Sequence, residues 1–257
     1  MSSTGRGSER EEEDQYFTRY PVALGICEAL KGYGFEAPRR ILEPSAGTGA
    51  FVSAAAEVWQ PDTLLWNDIN TSLILPEHLS RASGLGGGRL ISLESDFLLM
   101  PSQADCDLVI GNPPYSDAEA HVRKAITMIH DEGAVAFLLR VNFLAGIART
   151  AGLWAEHPPD FVCPLDKRPQ FVDGYRINKK GKKVKKGTDS CEYAVFIWRK
   201  ERPECEPAIR WIQWSKYLKK LENKVARVEV TPKVAGKPKV DKAKKLVAGS
   251  AIEGAVT

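Results

Sequence analysis

Short apolar runs alternate with helical patterns from residue 20 to about residue 140 of this chain. We predict strands over Arg40–Glu43, Thr63–Trp66, Leu90–Leu93, Asp107–Ile110 and Ala134–Leu139. Helices are predicted over Tyr20–Leu30, Ala50–Val58 and Asp117–His130. Such alternation indicates βαβ units, in which helices cover both faces of a parallel sheet. Past Pro158 the alternation ends, and two closing strands are predicted over Phe161–Leu165 and Tyr193–Trp198. The predicted fold class is α/β, a doubly wound, mostly parallel seven-stranded sheet with a reversed closing strand.

The chain has 257 residues, enough for one well-cored domain, which we place at residues 15–200. An acidic leader (1–14) and a basic tail (228–257) are predicted to be disordered, and residues 201–227 form an extension in which Arg210–Trp214 adds a sheet edge. The longest clean apolar run, Ala134–Leu139, is too short to cross a bilayer, so we expect no membrane partner and a cytoplasmic location. Five cysteines without a CxxC pair predict reduced thiols and no metal site.

Basic charge is concentrated in one segment, although the net charge is only +3. Seven basic residues and no acid lie between Arg176 and Lys186, within a predicted basic loop at 176–187. Segregated positive charge indicates a polyanionic partner. A solvated lysine loop is the alternative. The residues predicted to contact the polyanion are Lys179, Lys180, Lys182 and Lys183.

The fourth predicted strand ends at Gly111 and is followed by Asn112-Pro113-Pro114-Tyr115. Open α/β sheets bind ligands just beyond the carboxyl ends of such strands. The two prolines hold the loop rigid, and the first of them excludes Asn112 from the helical region. The loop therefore presents an amide, backbone carbonyls and an aromatic ring, which together suit a planar amine.

Other strand ends offer a glycine-rich turn and acidic residues. Glu43-Pro44-Ser45-Ala46-Gly47-Thr48-Gly49 joins the first strand to its helix, where glycines allow close approach of a ligand to the backbone. The acid at its start favours a cationic, amino-acid-like ligand over a pyrophosphate. Asp68, followed by Ile69, is placed to bind ribose hydroxyls, and Asp96 with Phe97 to bind an adenine. The alternative for each acid is a helix cap.

These motifs resemble those of the S-adenosylmethionine-dependent DNA adenine-N6 methyltransferases. The residues that carry the resemblance are Glu43–Phe51, with Asn112–Tyr115 downstream, in the order of the gamma group. Tyr16-Phe17-Thr18-Arg19-Tyr20-Pro21 is similar to the upstream motif that closes over the methionine end of the cofactor. Arg168-Pro169-Gln170-Phe171 and Thr188–Tyr193 resemble a late segment of small phage-type members. The resemblance implies a class I methyltransferase fold with S-adenosylmethionine as cofactor.

The resemblance also implies a role for each site residue. Asn112 and Pro113 would accept hydrogen bonds from the exocyclic amine of adenine, Pro114 would keep the loop rigid, and Tyr115 would stack on a base flipped out of the duplex. Phe171 would cover the other face of the base, unless it is an ordinary core aromatic. The cofactor would be held by Tyr16, Phe17, Thr18, Glu43, Pro44, Ser45, Ala46, Gly47, Gly49, Phe51, Asp68, Ile69, Asp96, Phe97 and Asn112.

Larger relatives carry a target-recognition domain that this sequence leaves little room for, so DNA specificity is expected to be short-site or relaxed. Three alternatives stay open: an RNA adenine-N6 methyltransferase, a glutamine methyltransferase, and an inactive nucleic-acid-binding module of the same fold. The state of assembly, monomer or weak dimer, is also open.

Overall fold

The computed structural model describes residues 16–84, 88–103, 105–169, 171, 175–177, 183–185, 191–200 and 207–218. Its main sheet has eight strands: β1 (Arg40–Glu43), β2 (Thr63–Asp68), β3 (Arg89–Glu94), β4 (Cys106–Gly111), β5 (Ile129–Arg140), β6 (Phe161–Pro164), β9 (Tyr193–Arg199) and β10 (Ala208–Ile209). A separate hairpin pairs β7 (Tyr175–Ile177) with β8 (Lys183–Lys185).

The helices are α1 (Tyr20–Lys31), α2 (Ala50–Trp59), α3 (Pro76–Ser83), α4 (Ala118–Ile126) and two short ones, α5 (Ile147–Ala151) and α6 (Leu153–Glu156). Pro21 stands in the first turn of α1, where its missing N–H leaves no hydrogen bond unmade. No helix in the described ranges is both long and apolar enough to cross a membrane.

The predicted fold class is confirmed. The strand order is β10-β6-β9-β5-β4-β1-β2-β3, and β9 runs antiparallel to both of its neighbours while the other pairings are parallel. The eighth strand, β10, extends the predicted seven by pairing with β6 at the sheet edge. It lies just before the Arg210–Trp214 segment for which an edge position was expected.

The helices α3, α5 and α6 were not predicted, and two predicted segments differ from the sequence-based expectation. β5 begins at Ile129 rather than Ala134, because Ile129 pairs with Cys106 ahead of a register shift in β4, and α4 accordingly ends at Ile126. The basic segment predicted as a loop contains the β7–β8 hairpin instead. Lys183 begins β8, whereas Lys179, Lys180 and Lys182 lie outside the described residues.

The central strands are buried on both faces, as their continuous apolar runs require, whereas the edge strands β3 and β10 are partly or fully exposed. Neighbouring strand residues point to opposite sides, so that Ile41 joins one core cluster with α1 and α2 while Leu42 joins a second with α4. The 207–218 segment also belongs to this core, because Ile212 and Trp214 are fully buried. At Gly25 of α1, a Cβ would lie 2.6 Å from the Trp214 Cβ, so only glycine allows this close contact.

The strand order determines where a ligand can bind. β1 lies between β2 and β4, and the chain winds outward from β1 in both directions. In open α/β sheets the crevice at this switch point, beyond the carboxyl ends of the strands, is the usual ligand site. The glycine turn after β1 and the Asn112 loop after β4 are therefore neighbours.

Candidate active site

A cavity of about 680 Å³ opens at the carboxyl ends of β1–β4, within the size range of small-molecule sites. The structure brings most of the predicted site residues to its wall: Tyr16, Phe17, Thr18, Pro44, Ser45, Ala46, Gly47, Phe51, Asp68, Ile69, Asp96, Phe97, Asn112, Pro113, Pro114 and Tyr115. Glu43, Gly49 and Phe171 are not among the lining residues.

The glycine turn adopts backbone conformations that favour glycine. Gly47 has φ 50° and Gly49 φ 90°, both in the left-handed region. A Cβ on Gly47 would lie 2.9 Å from the Phe17 ring, so the upstream strap (residues 16–18) lies directly on the turn. Gly49 sits behind the cavity, where a Cβ would lie 2.7 Å from Ile74. The two glycines thus serve different ends, one closing the strap onto the site and one allowing α2 to begin.

Asp68 lies where β2 ends, and it organises the turn as well as facing the cavity. Its Oδ2 accepts a hydrogen bond from Gly47 N (2.7 Å) and its Oδ1 accepts one from Asn70 N (2.9 Å). Asp96 similarly accepts from Leu98 N at 2.9 Å and caps a 3-10 turn. The Asp96 contact is the helix cap of the alternative interpretation, whereas the 3-10 helix after β2 is capped by Asn70 and not by Asp68. Each carboxylate oxygen has a second lone pair, so both acids can also accept ligand hydroxyl or amine protons.

Among the lining residues that were missed from the sequence, Asn67 and His121 carry the most informative contacts. Asn67 is buried, donates to the carbonyls of Pro44 and Ser95 (both 3.0 Å) and accepts from the Ser95 hydroxyl, so it ties together the ends of β1, β2 and β3. Its position just before Asp68 was the available signal. His121 of α4 lies 5.6 Å from the Phe97 ring, and burial lowers its pKa, which leaves a neutral imidazole on the wall.

Glu43 lies behind the wall rather than in it. Its side chain is 1% exposed, Oε1 accepts from Ser45 N (3.2 Å), and Oε2 has no hydrogen-bond partner among the described residues. The carboxyl sits against the backbone of Gly111, since a Cβ there would lie 2.1 Å from Glu43 Oε1. The residue expected to meet a cationic ligand thus contacts the last residue of β4, immediately before Asn112.

A pH-dependent stability is expected at this position. Burial raises the pKa of Glu43 well above its usual value, so the folded protein retains this proton at a pH where the unfolded chain has lost it. Stability therefore falls as pH rises from about 4.3, the ordinary glutamate pKa, through the folded-state pKa. The melting temperature of Glu43→Gln should exceed that of the wild type at pH 8, and the difference in melting temperature should shrink towards pH 4. Calorimetry across this range tests it, with the exposed Glu36→Gln as control, and a difference independent of pH would contradict it.

The Asn112 amide is held in one orientation. Its Nδ2 donates to the carbonyl of Tyr16 at 2.7 Å, which connects the Asn112 loop to the upstream strap. Its Oδ1 is buried and has no hydrogen-bond partner among the described residues. A buried, unpartnered carbonyl oxygen is energetically costly, which favours a ligand that donates to it. The amide thus offers an acceptor at the cavity wall.

Four aromatic rings gather beside Asn112. The ring centre of Tyr16 lies 5.6 Å from that of Tyr115 and 5.2 Å from that of Phe171. The ring of Tyr193 contacts those of both Tyr115 and Phe171. The Tyr115 hydroxyl is buried, and this burial raises its pKa well above the usual value. Phe171 is held by a bridge to Thr18 and lies behind Tyr16, outside the cavity. The structure therefore places Phe171 in the ring cluster and not on the cavity wall.

Known proteins that resemble this chain include one partial relative in sequence and several solved structures of similar fold. No protein-family model matches the chain. A 107-residue segment, 42% of the chain, is 28% identical to the Type II methyltransferase M.CvrRI of Paramecium bursaria Chlorella virus XZ-6E, and it spans only 26% of that protein.

Solved structures resemble the whole domain. A Listeria monocytogenes protein assigned to the class I S-adenosylmethionine-dependent methyltransferases has a TM-score of 0.54 at 12% identity, over 83% of this chain and 71% of that one. A Pyrococcus horikoshii protein assigned as an RNA methyltransferase also has 0.54, at 15% identity, over 74% and 89%. At these identities the likeness establishes the fold: the chain has the architecture of the class I S-adenosylmethionine-dependent methyltransferases.

Proposed function

We propose that this protein transfers a methyl group from S-adenosylmethionine to the N6 amine of adenine in DNA. The observation that carries the proposal is the Asn112 amide, anchored through Nδ2 with its buried Oδ1 left to accept a hydrogen bond. It stands in a proline-stiffened loop beside Tyr115, on the wall of the cavity that Asp68 and the glycine turn share. The partial relative named a Type II methyltransferase supports the class of reaction.

The residues of the cavity fit the proposed cofactor. The glycine turn and the strap of Tyr16, Phe17 and Thr18 would surround its methionine portion, Asp68 and Ile69 its ribose, and Asp96 and Phe97 its adenine. Glycine is required at position 47, because any larger residue would contact the Phe17 ring of the strap. When bound, the cofactor supplies an electrophilic methyl group on a sulfonium sulfur.

The chain's own residues prepare the nucleophile. The lone pair of the adenine amine is delocalised into the ring, which makes the amine a poor nucleophile. Asn112 Oδ1 and the Pro113 carbonyl accept hydrogen bonds from its two N–H groups and draw the nitrogen towards a tetrahedral form. This nitrogen would receive the methyl group of a bound cofactor, with the thioether as leaving group, and the surplus proton would pass to solvent. Tyr115 stacks on the flipped base, so orientation and electrostatics provide the rate enhancement.

The proposal is tested by expressing the protein in cells that lack DNA methylation and mapping modified adenines in the genome. Labelled methyl transfer to purified DNA, RNA and a release factor separates it from the RNA and glutamine alternatives. Transfer to RNA or to glutamine, with none to DNA, would replace the proposal with the corresponding alternative.

The basic segment at 176–187 would supply DNA affinity through contacts to phosphates. Such contacts carry no sequence information, which agrees with the proposed relaxed specificity.

Asp68, the carboxylate proposed to bind the ribose of the cofactor, provides a direct test of the cofactor site. Asp68→Ala should weaken S-adenosylmethionine binding by about tenfold or more. The substitution removes the carboxylate that accepts hydrogen bonds from the ribose hydroxyls, and it removes the hydrogen bond that holds Gly47 N. Isothermal titration measures the affinity. The exposed Asp62→Ala serves as control, because Asp62 pairs with Arg39 at the opposite end of β2. Unchanged affinity for Asp68→Ala would contradict this assignment.

A further inference from the structure

An apolar tip follows β5 at the same edge of the sheet as the cavity. Leu144 is 42% exposed and Ile147 is 92% exposed, although both are large aliphatic residues. The tip begins at the rim of the site, because the guanidinium of Arg140, the last residue of β5, lies 4.8 Å from the centre of the Tyr115 ring. The four 3-10 residues Val141–Leu144 then advance about 2 Å each, or about 8 Å from the rim.

The tip is braced rather than loose. Arg149 Nε donates to the carbonyl of Phe143 at 2.9 Å, and a second Arg149 nitrogen donates to that of Ala145. Trp154 Nε1 donates to the carbonyl of Leu144 at 3.1 Å. Three successive carbonyls are thereby held by two side chains. Leu144 and Ile147 are presented to solvent in a fixed arrangement, which lowers the entropic cost of placing them against a partner.

Phe143 anchors the tip to the domain, and the charge around it suits a polyanion. Its ring is buried in edge-to-face contact with Trp154 and Phe196. From Arg140 to Ala155 the sequence has two arginines and no acidic residue. Architectural proteins insert apolar side chains of this kind between base steps, with arginine or lysine nearby to contact the groove.

We propose that Leu144 and Ile147 form a wedge that enters the base stack of duplex DNA and supports extrusion of the target adenine. This inference rests on the proposed function and names how the same site obtains its substrate. Extrusion costs unpairing and unstacking energy, and an aliphatic side chain that fills the vacated space offsets part of that cost. The wedge therefore matters most when the adenine is paired.

The test compares two substrates with the full-length protein. The variant is Leu144→Ser/Ile147→Ser, and the matched control is Ile209→Ser, which changes an aliphatic residue 60% exposed on the edge strand β10. One substrate is a duplex carrying an adenine site mapped in cells; the other is the same duplex with an abasic position opposite that adenine. On the paired duplex, kcat/KM of the double variant should fall by about tenfold or more, while the abasic duplex restores it to within about threefold of wild type. The control should match the wild type on both.

Each other outcome has a defined meaning. Equal loss on both duplexes would show a general defect in folding or binding and would overturn the wedge, as would no loss on either. Wild-type protein that methylates neither DNA substrate would overturn the proposed function, and the wedge with it. The first two results leave adenine methylation itself intact, so the two failures are distinguishable.

Discussion

Asn112→Ala is expected to lower kcat for methyl transfer by about 10²–10³-fold, the loss seen when one preorganised hydrogen-bonding group at a reacting centre is removed. The variant loses the buried Oδ1 that accepts from the substrate amine, together with the bond from Nδ2 to Tyr16. Single-turnover transfer of a labelled methyl group to DNA measures the chemical step directly. Cofactor affinity, measured by titration, should stay close to that of the wild type.

Asn112→Asp is the comparison that separates the two losses. It retains an oxygen that accepts from the amine, but it places negative charge beside the Tyr16 carbonyl where an N–H donor stood. We therefore expect an activity between the wild type and Asn112→Ala. Near-wild-type turnover in Asn112→Ala would refute the role given to this amide. Loss of cofactor binding in both variants would instead indicate that the amide serves the cofactor.

Gly111→Ala is expected to destabilise the protein by about 3 kcal/mol or more and to remove most activity. The added Cβ would lie 2.1 Å from Oε1 and 2.8 Å from Oε2 of Glu43, whose side chain is buried. Either that carboxyl or the end of β4 must move, and Asn112 moves with the strand. Urea denaturation measures the stability and methyl transfer the activity. Gly32→Ala is the control, because the nearest atom to its Cβ would lie at 3.4 Å.

The double variant Glu43→Ala/Gly111→Ala tests the cause of this effect. Removing the carboxyl relieves the overlap, so the double variant should lose less than the sum of the two single changes. Additive losses would show that Gly111 is required for another reason. Recovered stability without recovered activity would show that Glu43 itself is needed to position the loop before Asn112.

Much of the site was predictable because its residues follow strand ends. β1 and β4 could be recognised as apolar runs with defined stops, and the carboxyl ends of parallel strands meet at one edge of a sheet. The glycine turn, Asp68 and Asn112 were therefore expected near one another, and the cavity is lined by all three segments. The strand limits were less predictable, since the start of β5 depends on a pairing between Ile129 and Cys106 that no local pattern signals.

Side-chain directions required the tertiary structure. Glu43 reads as a ligand-facing acid in the sequence, yet it points under β4 because Gly111 leaves room for it there. Phe171 was predicted to stack on a base, yet its ring packs against Tyr16 and Tyr193 and does not line the cavity. In both cases the neighbour that decides the arrangement is far away along the chain, so local sequence carries no record of it.

The class of fold and the chemistry available at each strand end follow from local sequence, because apolar periodicity and turn residues act over a few neighbouring positions. Which of these groups face the cavity depends on contacts between distant segments. Pairing of β1 with β4 placed Glu43 against Gly111, and the strap from Tyr16 oriented the Asn112 amide. Such contacts form between segments that are distant along the chain, and they become definite only when the core has closed around them.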